Sequence, residues 1–310
     1  MHCPPLFKLP PPPLDKFGWL WTEESPQLPN TMSCGSSWPL ISIVTPSFNQ
    51  GQFLEETIRS VLLQGYPNIE YIIIDGGSSD NSTEIIKKYE PWLTYWISEP
   101  DKGQAHAINK GLSHATGKVF GWLNSDDYFH RSALRSLIEL RQNNPGSIAW
   151  VGACQDIDIY GRPLRWRSPR VGNKKQFGNW SRDAWIAQPS CLFDAKAFFD
   201  VGKIDEQLDF VLDVDLWMRL AEYGNFASKN KIISYERMYS KTKTRKNIPM
   251  QQAEHILINF KLGQPEVAQK RMAECMTFAL DAWPFRKLLR YFIKRSISWI
   301  WQCFRRLCKL

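Results

Sequence analysis

Apolar runs alternate with amphipathic stretches between residues 40 and 130. The first run, Ile41–Thr45, is short and followed by Pro46, which predicts a buried strand that stops at the proline. Apolar side chains then recur at positions 54, 58, 61 and 62, and this spacing predicts a helix. Ile69–Ile74 is apolar apart from one Glu and predicts a second, central strand. This alternation favours a parallel sheet built from βαβ units.

The same analysis predicts the remaining elements. Asn81, with Glu84 three residues later, is typical of a capped helix, which we expect to run through Lys88. Gly161–Asn179 predicts a basic, glycine-containing loop. Further helices are predicted at Gln104–Ser113, Ser132–Gln142, Phe210–Tyr223 and Met250–Ala279, and further strands at Tyr95–Ser98, Val119–Leu123 and Ile148–Ile159.

These patterns divide the chain into four parts. Residues 1–39 form a proline-rich N-terminal extension with little periodicity, which we expect to be extended and partly disordered. Residues 40–245 form the main domain, and its pattern becomes less regular after about residue 130. Residues 246–280 are a helical region, and residues 281–310 are a basic amphipathic tail.

Composition and charge restrict the classes of function. Residues 282–310 carry eight Lys or Arg and no acid, whereas the rest of the chain has 31 basic and 31 acidic side chains. The main body therefore lacks the basic excess that nucleic-acid binding requires. The seven cysteines are scattered without a CxxC pair, which indicates a reducing compartment and neither a disulfide framework nor a zinc site. The N-terminus lacks the pattern of a signal peptide.

The tail has the pattern of a membrane-surface helix. On a helix, Phe292 and its apolar neighbours form one stripe, the cations lie opposite, and Trp299 suits a lipid headgroup region. The longest charge-free run, Ser296–Phe304, is too short to span a bilayer. We therefore expect residues 285–310 to bind a membrane surface in its plane. The alternative is a terminal helix packed on the main body.

Polar motifs follow the predicted strands, and the most informative is Asn124-Ser125-Asp126-Asp127. It follows a buried strand, at the sheet edge where open α/β sheets bind ligands. Adjacent carboxylates repel each other unless they share a positive partner, and a divalent cation with a diphosphate would supply one. The alternative is a cap for the helix Ser132–Gln142. The other motifs are Pro46-Ser47-Phe48-Asn49, Asp75-Gly76-Gly77-Ser78-Ser79-Asp80, Asp101-Lys102-Gly103-Gln104 and Asp213-Val214-Asp215-Leu216-Trp217.

In their order and spacing these five motifs resemble the family 2 glycosyltransferases, over about residues 41–244. The resemblance implies an α/β GT-A (nucleotide-diphospho-sugar transferase) fold, with a mostly parallel central sheet, flanking helices and C-terminal helices. Residues 40–135 would be the nucleotide-sugar half and residues 136–245 the acceptor half. The implied activity is inverting, metal-dependent transfer of a hexose from a UDP-sugar to a hydroxyl.

The resemblance also assigns roles to residues. Asp126 and Asp127 match the DXD motif, whose carboxylates bind Mn²⁺ or Mg²⁺, and Asp213 matches the base that deprotonates the acceptor. For Asp213 the alternative is an acidic first helical turn favoured by the helix dipole. The donor-binding positions implied are Pro46, Ser47, Asn49, Asp75, Gly76, Asp101, Gln104, Asn124 and Asp126.

The sequence departs from the family pattern at two positions. Many relatives have an Asp at the position of Gly76, where it contacts uracil, and Asp75 is our candidate for a substitute. Many also have a metal-binding His near Tyr239, so no third metal ligand is assigned. Gln188-Pro189-Ser190 matches a stretch before the acceptor site. The segments Arg237-Met238-Tyr239 and Lys243-Thr244 resemble a mobile segment over the donor phosphates.

The resulting hypothesis is polysaccharide or glycolipid assembly by a cytoplasmic enzyme, peripheral at the inner face of the cytoplasmic membrane. Its partners would be a nucleotide-sugar donor, a glycan or lipid-linked acceptor and the membrane surface, without nucleic acid. The alternatives are transfer to a protein or soluble acceptor, and a non-catalytic scaffold that binds nucleotide sugars. A dinucleotide dehydrogenase is excluded because no GxGxxG follows the first strand.

Overall fold

The computed structural model describes residues 1–240, 242–243 and 247–282, with side chains as far as residue 275. The chain divides into two compact units, and the boundary falls between Tyr239 and Ser240, slightly before the predicted domain end at residue 245. The predicted membrane-binding segment 285–310 and Thr244 lie outside the described residues.

The first half of the first unit is the predicted parallel βαβ arrangement. Four parallel strands lie in the order β3-β2-β1-β4, connected by helices. The strands β1 and β2 are buried along their whole length, which explains their continuous apolar pattern. The elements are β1 (Ile41–Ser47), α1 (Gly51–Leu62), β2 (Ile69–Asp75), α2 (Ser82–Tyr89), β3 (Tyr95–Ser98), α3 (Gln104–Ser113) and β4 (Val119–Trp122).

Two local predictions in this half are wrong. The strand β1 does not stop at Pro46 but continues to Ser47. The Val44 carbonyl accepts a hydrogen bond from the β4 side, and the backbone nitrogen of Pro46, two residues later, faces the same side. The β1–β4 pairing has already ended there, so the strand needs no N–H from Pro46. Asn81 occupies the N-cap position of α2 without a capping hydrogen bond, and Asp80 Oδ1 accepts from the Ser82 amide instead, at 3.0 Å.

The second half of this unit has mixed pairing. The whole sheet runs β3-β2-β1-β4-β8-β6-β9-β5, with β7 beside β6. The pair β6–β9 is parallel, whereas β8, β7 and β5 pair with their neighbours antiparallel. The elements are β5 (Tyr128–Phe129), α4 (Ala133–Asn143), β6 (Ser147–Ile157), β7 (Pro163–Arg167), α5 (Lys174–Gly178), β8 (Cys191–Asp194), α6 (Ala195–Asp200), α7 (Leu212–Tyr223) and β9 (Asn225–Arg237).

The predicted loop at Gly161–Asn179 is therefore not wholly a loop, because it contains β7 and α5. Strand β7 is exposed and rich in Arg, so it lacks the apolar pattern on which strand prediction depends. The sequence analysis also missed β8 and β9, which are short or polar over much of their length.

The N-terminal 39 residues pack against the first unit, so the expectation of partial disorder is wrong. Met1 and Ile69 exchange backbone hydrogen bonds, and the Trp19 indole donates to the Phe129 carbonyl at 2.9 Å. The fully buried Arg59 of α1 donates to three carbonyls of this segment. A buried guanidinium must be satisfied, and the otherwise irregular segment supplies the acceptors.

The described part of the second unit consists of α8 (Ile248–Lys261) and α9 (Pro265–Ala282). The single helix predicted at Met250–Ala279 is interrupted at Gly263, whose φ of +76° suits glycine in a left-handed helix end. Among the described residues, no helix has both the length and the apolar character needed to cross a bilayer.

Candidate functional site

The loops that follow β1 and β2 are joined by hydrogen bonds. The Asn49 amide donates to Ser78 Oγ at 2.8 Å, and Asn49 Oδ1 accepts from the Ser79 amide at 2.9 Å. Asn49 has a positive φ of 52°, which Asn tolerates better than most residues. The buried hydroxyl of Ser47 has no hydrogen-bond partner among the described residues. The two loops therefore form one polar surface at the carboxyl edge of the sheet.

Asp75 and Asp101 have different environments at this edge. Asp75 is fully buried, and both carboxylate oxygens accept hydrogen bonds, from Ser78 and from the Ser98 hydroxyl at 2.7 Å. Asp101 is partly exposed, and a Cβ atom added at Gly76 would lie 2.9 Å from its carboxylate. Asp101 therefore occupies the space over Gly76, whereas Asp75 holds the turn together.

The motif Asn124-Ser125-Asp126-Asp127 lies directly after β4, at the same edge. Gln104 at the start of α3 donates to Asn124 Oδ1 at 2.8 Å. The Asn124 amide nitrogen lies 3.4 Å from Asp127 Oδ2. Strand β5 separates this motif from α4, which begins at Ala133, so the motif is not the cap of that helix. Two of the predicted donor-side motifs are thus joined, as the loops after β1 and β2 are joined to each other.

The two adjacent carboxylates are held in an environment that disfavours their charges. Burial raises the pKa of Asp127 well above its usual value, and the Asp126 charge raises it further. Burial also raises the pKa of Asp126. Asp126 Oδ2 accepts from the Tyr239 hydroxyl at 3.0 Å. Asp127 Oδ1 accepts from a backbone amide of β9 at 2.9 Å, in addition to the longer contact of its Oδ2 with Asn124. A hard divalent cation would lower both pKa values, so the residues fit one.

Arg237, at the end of β9, organises this acidic loop. Its side chain is almost fully buried and donates to the Asp126 carbonyl and to Glu56 Oε2 of α1, both at 2.6 Å. Its own backbone amide is the donor to Asp127. The guanidinium lies 4.2 Å from the centre of the Phe53 ring. One residue thus connects α1, the acidic loop and β9, which fixes the position of the carboxylates.

Tyr239, two residues later, adds a second constraint on Asp126. Its hydroxyl accepts from Gln50 Nε2 at 3.2 Å while it donates to Asp126, and its ring packs against Phe53. The sequence analysis named Arg237 and Tyr239 only as parts of a segment that covers the donor. Their contacts with residues more than 100 positions away carried no local sequence signal that could have identified them.

On the other side of the site, Asp213 and Asp215 lie in the first turn of α7. The Asp215 carboxylate is fully buried and pairs with Arg219 at 2.5 and 2.9 Å. Asp213 is half-buried, and its Oδ1 accepts from the Val214 amide at 2.9 Å. Burial raises the pKa of Asp213 to about 6, with a smaller contribution from the Glu236 charge. Asp215 therefore has a structural role, and Asp213 retains the environment of a base.

Helix α7 packs on the strand that leads to the acidic loop. The rings of Trp122, the last residue of β4, and Trp217 are stacked with centroids 5.7 Å apart. Gln188, in a short 3₁₀ helix, donates to the Trp122 carbonyl at 2.7 Å. Asp213 precedes Trp217 by one turn, and the acidic loop follows Trp122. The Glu236 charge raises the pKa of Asp213 and also that of Asp127, so one buried carboxylate acts on both groups.

Cys154, Asp156 and Glu236 form a further cluster beside the acidic loop, with ligand atoms close enough to hold a metal ion. Arg167 already occupies this position. It pairs with Asp156 and with Glu236, the latter at 2.5 Å, and stacks on Trp185 at 4.2 Å. Burial also raises the pKa of the Cys154 thiol, which disfavours the thiolate that binds metal. The cluster is an ion-pair network rather than a metal site.

Comparisons with known proteins agree with this geometry. The profile described as "Glycosyl transferase family 2" matches residues 42–199, half of the chain. A Rickettsia conorii protein described as an uncharacterized glycosyltransferase is 28% identical over 215 residues, which cover 67% of this chain and 35% of the relative. The chain thus spans about a third of that relative's length.

Solved structures show the fold. Staphylococcus aureus TarS (residues 1–349), in complex with UDP-GlcNAc, is similar with a TM-score of 0.58 at 15% identity, over 76% of this chain and 71% of TarS. A Pyrobaculum calidifontis mannosyltransferase, in complex with GDP-Man and Mn²⁺, gives a TM-score of 0.55 at 15% identity, over 87% and 83%. The predicted α/β GT-A fold is confirmed, with a sheet that is parallel in its first half and mixed beyond.

Proposed function

Because this chain belongs to glycosyl transferase family 2, we propose that it moves one sugar, with inversion, from a UDP-sugar to a hydroxyl of a glycan or lipid-linked acceptor. The observation that carries the proposal is that two kinds of carboxylate are connected through Trp122, which precedes the acidic loop and stacks on Trp217 of α7. The paired Asp126 and Asp127 lie among the joined loops, and Asp213 lies alone at the start of α7.

The donor would bind along the carboxyl edge of the first half of the sheet. Asn49, Gln104 and Asn124 present side-chain amides there, and their positions are set by hydrogen bonds between loops. Such convergence of polar groups at a sheet edge is typical of nucleotide sites in α/β folds. UDP-GlcNAc in TarS and GDP-Man in the mannosyltransferase are precedents for nucleotide-sugar donors on this fold.

Gly76 and Asp101 bear on the choice of base. Asp75, our first candidate for contact with uracil, uses both oxygens within the turn. The Asp101 carboxylate lies where a side chain at position 76 would begin. A carboxylate can accept a hydrogen bond from the imide N–H of uracil, and Asp101 is better placed than Asp75 to do so.

Asp126 and Asp127 would hold Mn²⁺ or Mg²⁺, which supplies charge neutralisation of the diphosphate leaving group. The Mn²⁺ in the mannosyltransferase structure is a precedent on the same fold. Arg237 and Tyr239 hold these two carboxylates in position, and Gln50 holds the Tyr239 hydroxyl in turn. On the donor side, the chain itself therefore contributes the orientation of these two carboxylates.

Asp213 would remove the proton of the acceptor hydroxyl. A base is most effective when its pKa lies close to the working pH, and burial raises the pKa of Asp213 to about 6. The Val214 amide that donates to Oδ1 leaves Oδ2 available for the incoming proton. This arrangement favours an enzyme over the non-catalytic scaffold, which would have no use for a base with a raised pKa.

For location, we propose a cytoplasmic enzyme that is peripheral at the membrane through residues 285–310, where polysaccharide or glycolipid assembly would supply its acceptor. The eight cations of residues 282–310, without any acid, support attraction to anionic lipid.

A panel of UDP- and GDP-sugars tests the proposed function. We expect Mn²⁺-dependent hydrolysis of at least one UDP-sugar and an increase in Tm with that donor. Asp127→Asn should lose both responses, and Asp213→Asn should lose hydrolysis while it keeps the increase in Tm. If no nucleotide sugar changes Tm in the presence of Mn²⁺, the proposal is wrong.

A further inference from the structure

The hairpin Ile159–Arg167, which consists of the turn after β6 together with β7, exposes an unusual set of side chains. Tyr160 is 76% exposed, Leu164 56% and Trp166 47%, and Ile159 is also exposed. Four large apolar residues within eight positions form a concentrated patch, whereas isolated exposed apolar residues need no explanation.

In an ordinary edge strand the apolar side chains face the protein, whereas in β7 they face outward. Arg165 and Arg167 lie on one face, where they pair with Asp156 of β6, and Arg167 also pairs with Glu236 of β9. Leu164 and Trp166 alternate with them and lie on the opposite face, which is exposed. The arginines of one face thus pair with acids of the neighbouring strands, and the apolar groups of the other face are directed at the surroundings.

The patch is also rich in arginine. The Arg162 side chain is 73% exposed while it pairs with Asp158, and that of Arg165, on the face opposite Leu164 and Trp166, is 67% exposed while it pairs with Asp156. Arg162 lies 5.1 Å from the centre of the Tyr160 ring, so the most exposed aromatic residue of the patch has a cation beside it. Residues 158–182 contain seven Lys or Arg and a single acid, Asp158. The surroundings that this segment fits are apolar in part and negatively charged.

The hairpin lies at the same sheet edge as the candidate site. Strand β6 runs beside β9, with Asp156 in register with Glu236 and Ile157 with Arg237, and the Arg237 amide donates to Asp127. At the turn of the hairpin, a Cβ atom at Gly161 would lie 4.0 Å from the Tyr128 hydroxyl, and Tyr128 follows Asp127 directly. A partner surface that contacts the hairpin therefore lies next to the acidic loop.

We propose that the hairpin Ile159–Arg167 binds the surface of an anionic lipid bilayer, independently of the C-terminal tail. Trp and Tyr are enriched at the interface between lipid and water, and aliphatic side chains insert beside them. Arginine binds lipid phosphates with two hydrogen bonds and is weakly hydrated, so it suits this depth. A lipid-linked acceptor would then meet the enzyme beside the acidic loop. The inference does not depend on sugar transfer.

Hydrogen–deuterium exchange of the full-length chain tests the inference directly. The chain is saturated with vesicles of phosphatidylcholine and phosphatidylglycerol, and exchange is compared with that of the free chain. We expect slower exchange of amides 159–167 on vesicle binding. Unchanged exchange in the hairpin while the chain sediments with the vesicles would show that the tail binds alone and would overturn the inference, as would failure of the chain to bind.

A pair of matched variants gives a second test. Leu164→Ser/Trp166→Ser should reduce partition of the full-length chain into anionic vesicles about tenfold, because two inserted apolar side chains are lost. Phe7→Ser/Leu14→Ser removes two residues that are at least as exposed, on the N-terminal segment, and should leave partition unchanged. Equal effects of the two double variants would contradict the proposal. The proposal would also be contradicted if the free chain were a dimer and Leu164→Ser/Trp166→Ser made it a monomer, because a second copy would then cover the patch.

Discussion

Replacement of Asp213 by Asn should increase stability while it removes activity. Burial raises the pKa of this carboxyl from its usual value of 3.8 to about 6, so the folded protein holds the charged form at a cost. A shift of about two units corresponds to about 3 kcal/mol. Because Asp213 is partly accessible to water, about 1–3 kcal/mol is the expected range. The new side chain can still accept from the Val214 amide through its carbonyl oxygen.

The sign of the effect on stability depends on pH. The raised pKa means that the folded state binds more protons than the unfolded state between about pH 4 and pH 6, so wild-type stability falls as pH rises through this window. The variant lacks this titration. The gain in the free energy of unfolding for Asp213→Asn should therefore be near zero at about pH 4 and reach its full value above about pH 6.

Urea unfolding of both proteins from about pH 4 to pH 8 measures this difference, and turnover with donor and acceptor gives the other half of the prediction. In the wild type, kcat/KM should rise with pH through about 6, because the base must be ionised. Turnover of Asp213→Asn should fall by about 10²–10⁴, with UDP affinity close to normal.

Two results would refute this reasoning. A variant no more stable than the wild type at about pH 8 would mean that the carboxyl is not held in a desolvated environment. A variant that loses UDP affinity would mean that Asp213 serves the nucleotide or the fold. Asp215→Asn is the matched control: it breaks the buried pair with Arg219, so it should lower stability at neutral pH, opposite to Asp213→Asn.

The remaining predictions concern the donor side and the tail. Asp127→Ala should abolish Mn²⁺-dependent UDP binding in isothermal titration, and unchanged affinity would exclude the DXD assignment. Arg237→Met should lower the free energy of unfolding, measured with urea, by about 1–3 kcal/mol, because Glu56 and the Asp126 carbonyl lose a buried donor while Glu56 keeps its pair with Lys16; unchanged stability would contradict that role. Gly76→Ala should weaken UDP binding by displacing the Asp101 carboxylate, and tighter binding would exclude Asp101 as a base contact. Truncation before Pro284 should release the chain from vesicles in high salt and leave donor hydrolysis intact. An unfolded product would mean that the tail is part of the core.

The sequence alone was sufficient for the first half of the sheet and for the order of the donor motifs. The strands β1, β2 and β4 are buried on both faces, so each appears as a continuous apolar run, and the polar motif after each strand marks its carboxyl end. Parallel strands place these ends at one edge, so local patterns were enough to group Asn49, Gly76 and Asn124 before any contact was known.

Tertiary structure alone decided which polar groups are available. Asp75 and Asp101 are equivalent in sequence as acids after a strand, yet one is enclosed by Ser78 and Ser98 and the other lies over Gly76. Asp213 and Asp215 are likewise distinguished by their burial and by the pair that Asp215 forms with Arg219. A carboxylate's role depends on which donors surround it and on how much water reaches it, and these are set by the packing of distant segments.

The same reason explains why the contacts of Arg237 and Tyr239 and the packing of the N-terminal segment were not predicted. Arg237 meets Glu56 across 181 positions of the chain, and Arg59 meets the carbonyls of residues 10–21 in a segment that looked unstructured. Buried cations must find acceptors, but the sequence does not say which ones. Local periodicity determines where strands and helices form, whereas the satisfaction of buried charge is settled only when distant parts of the chain are brought together.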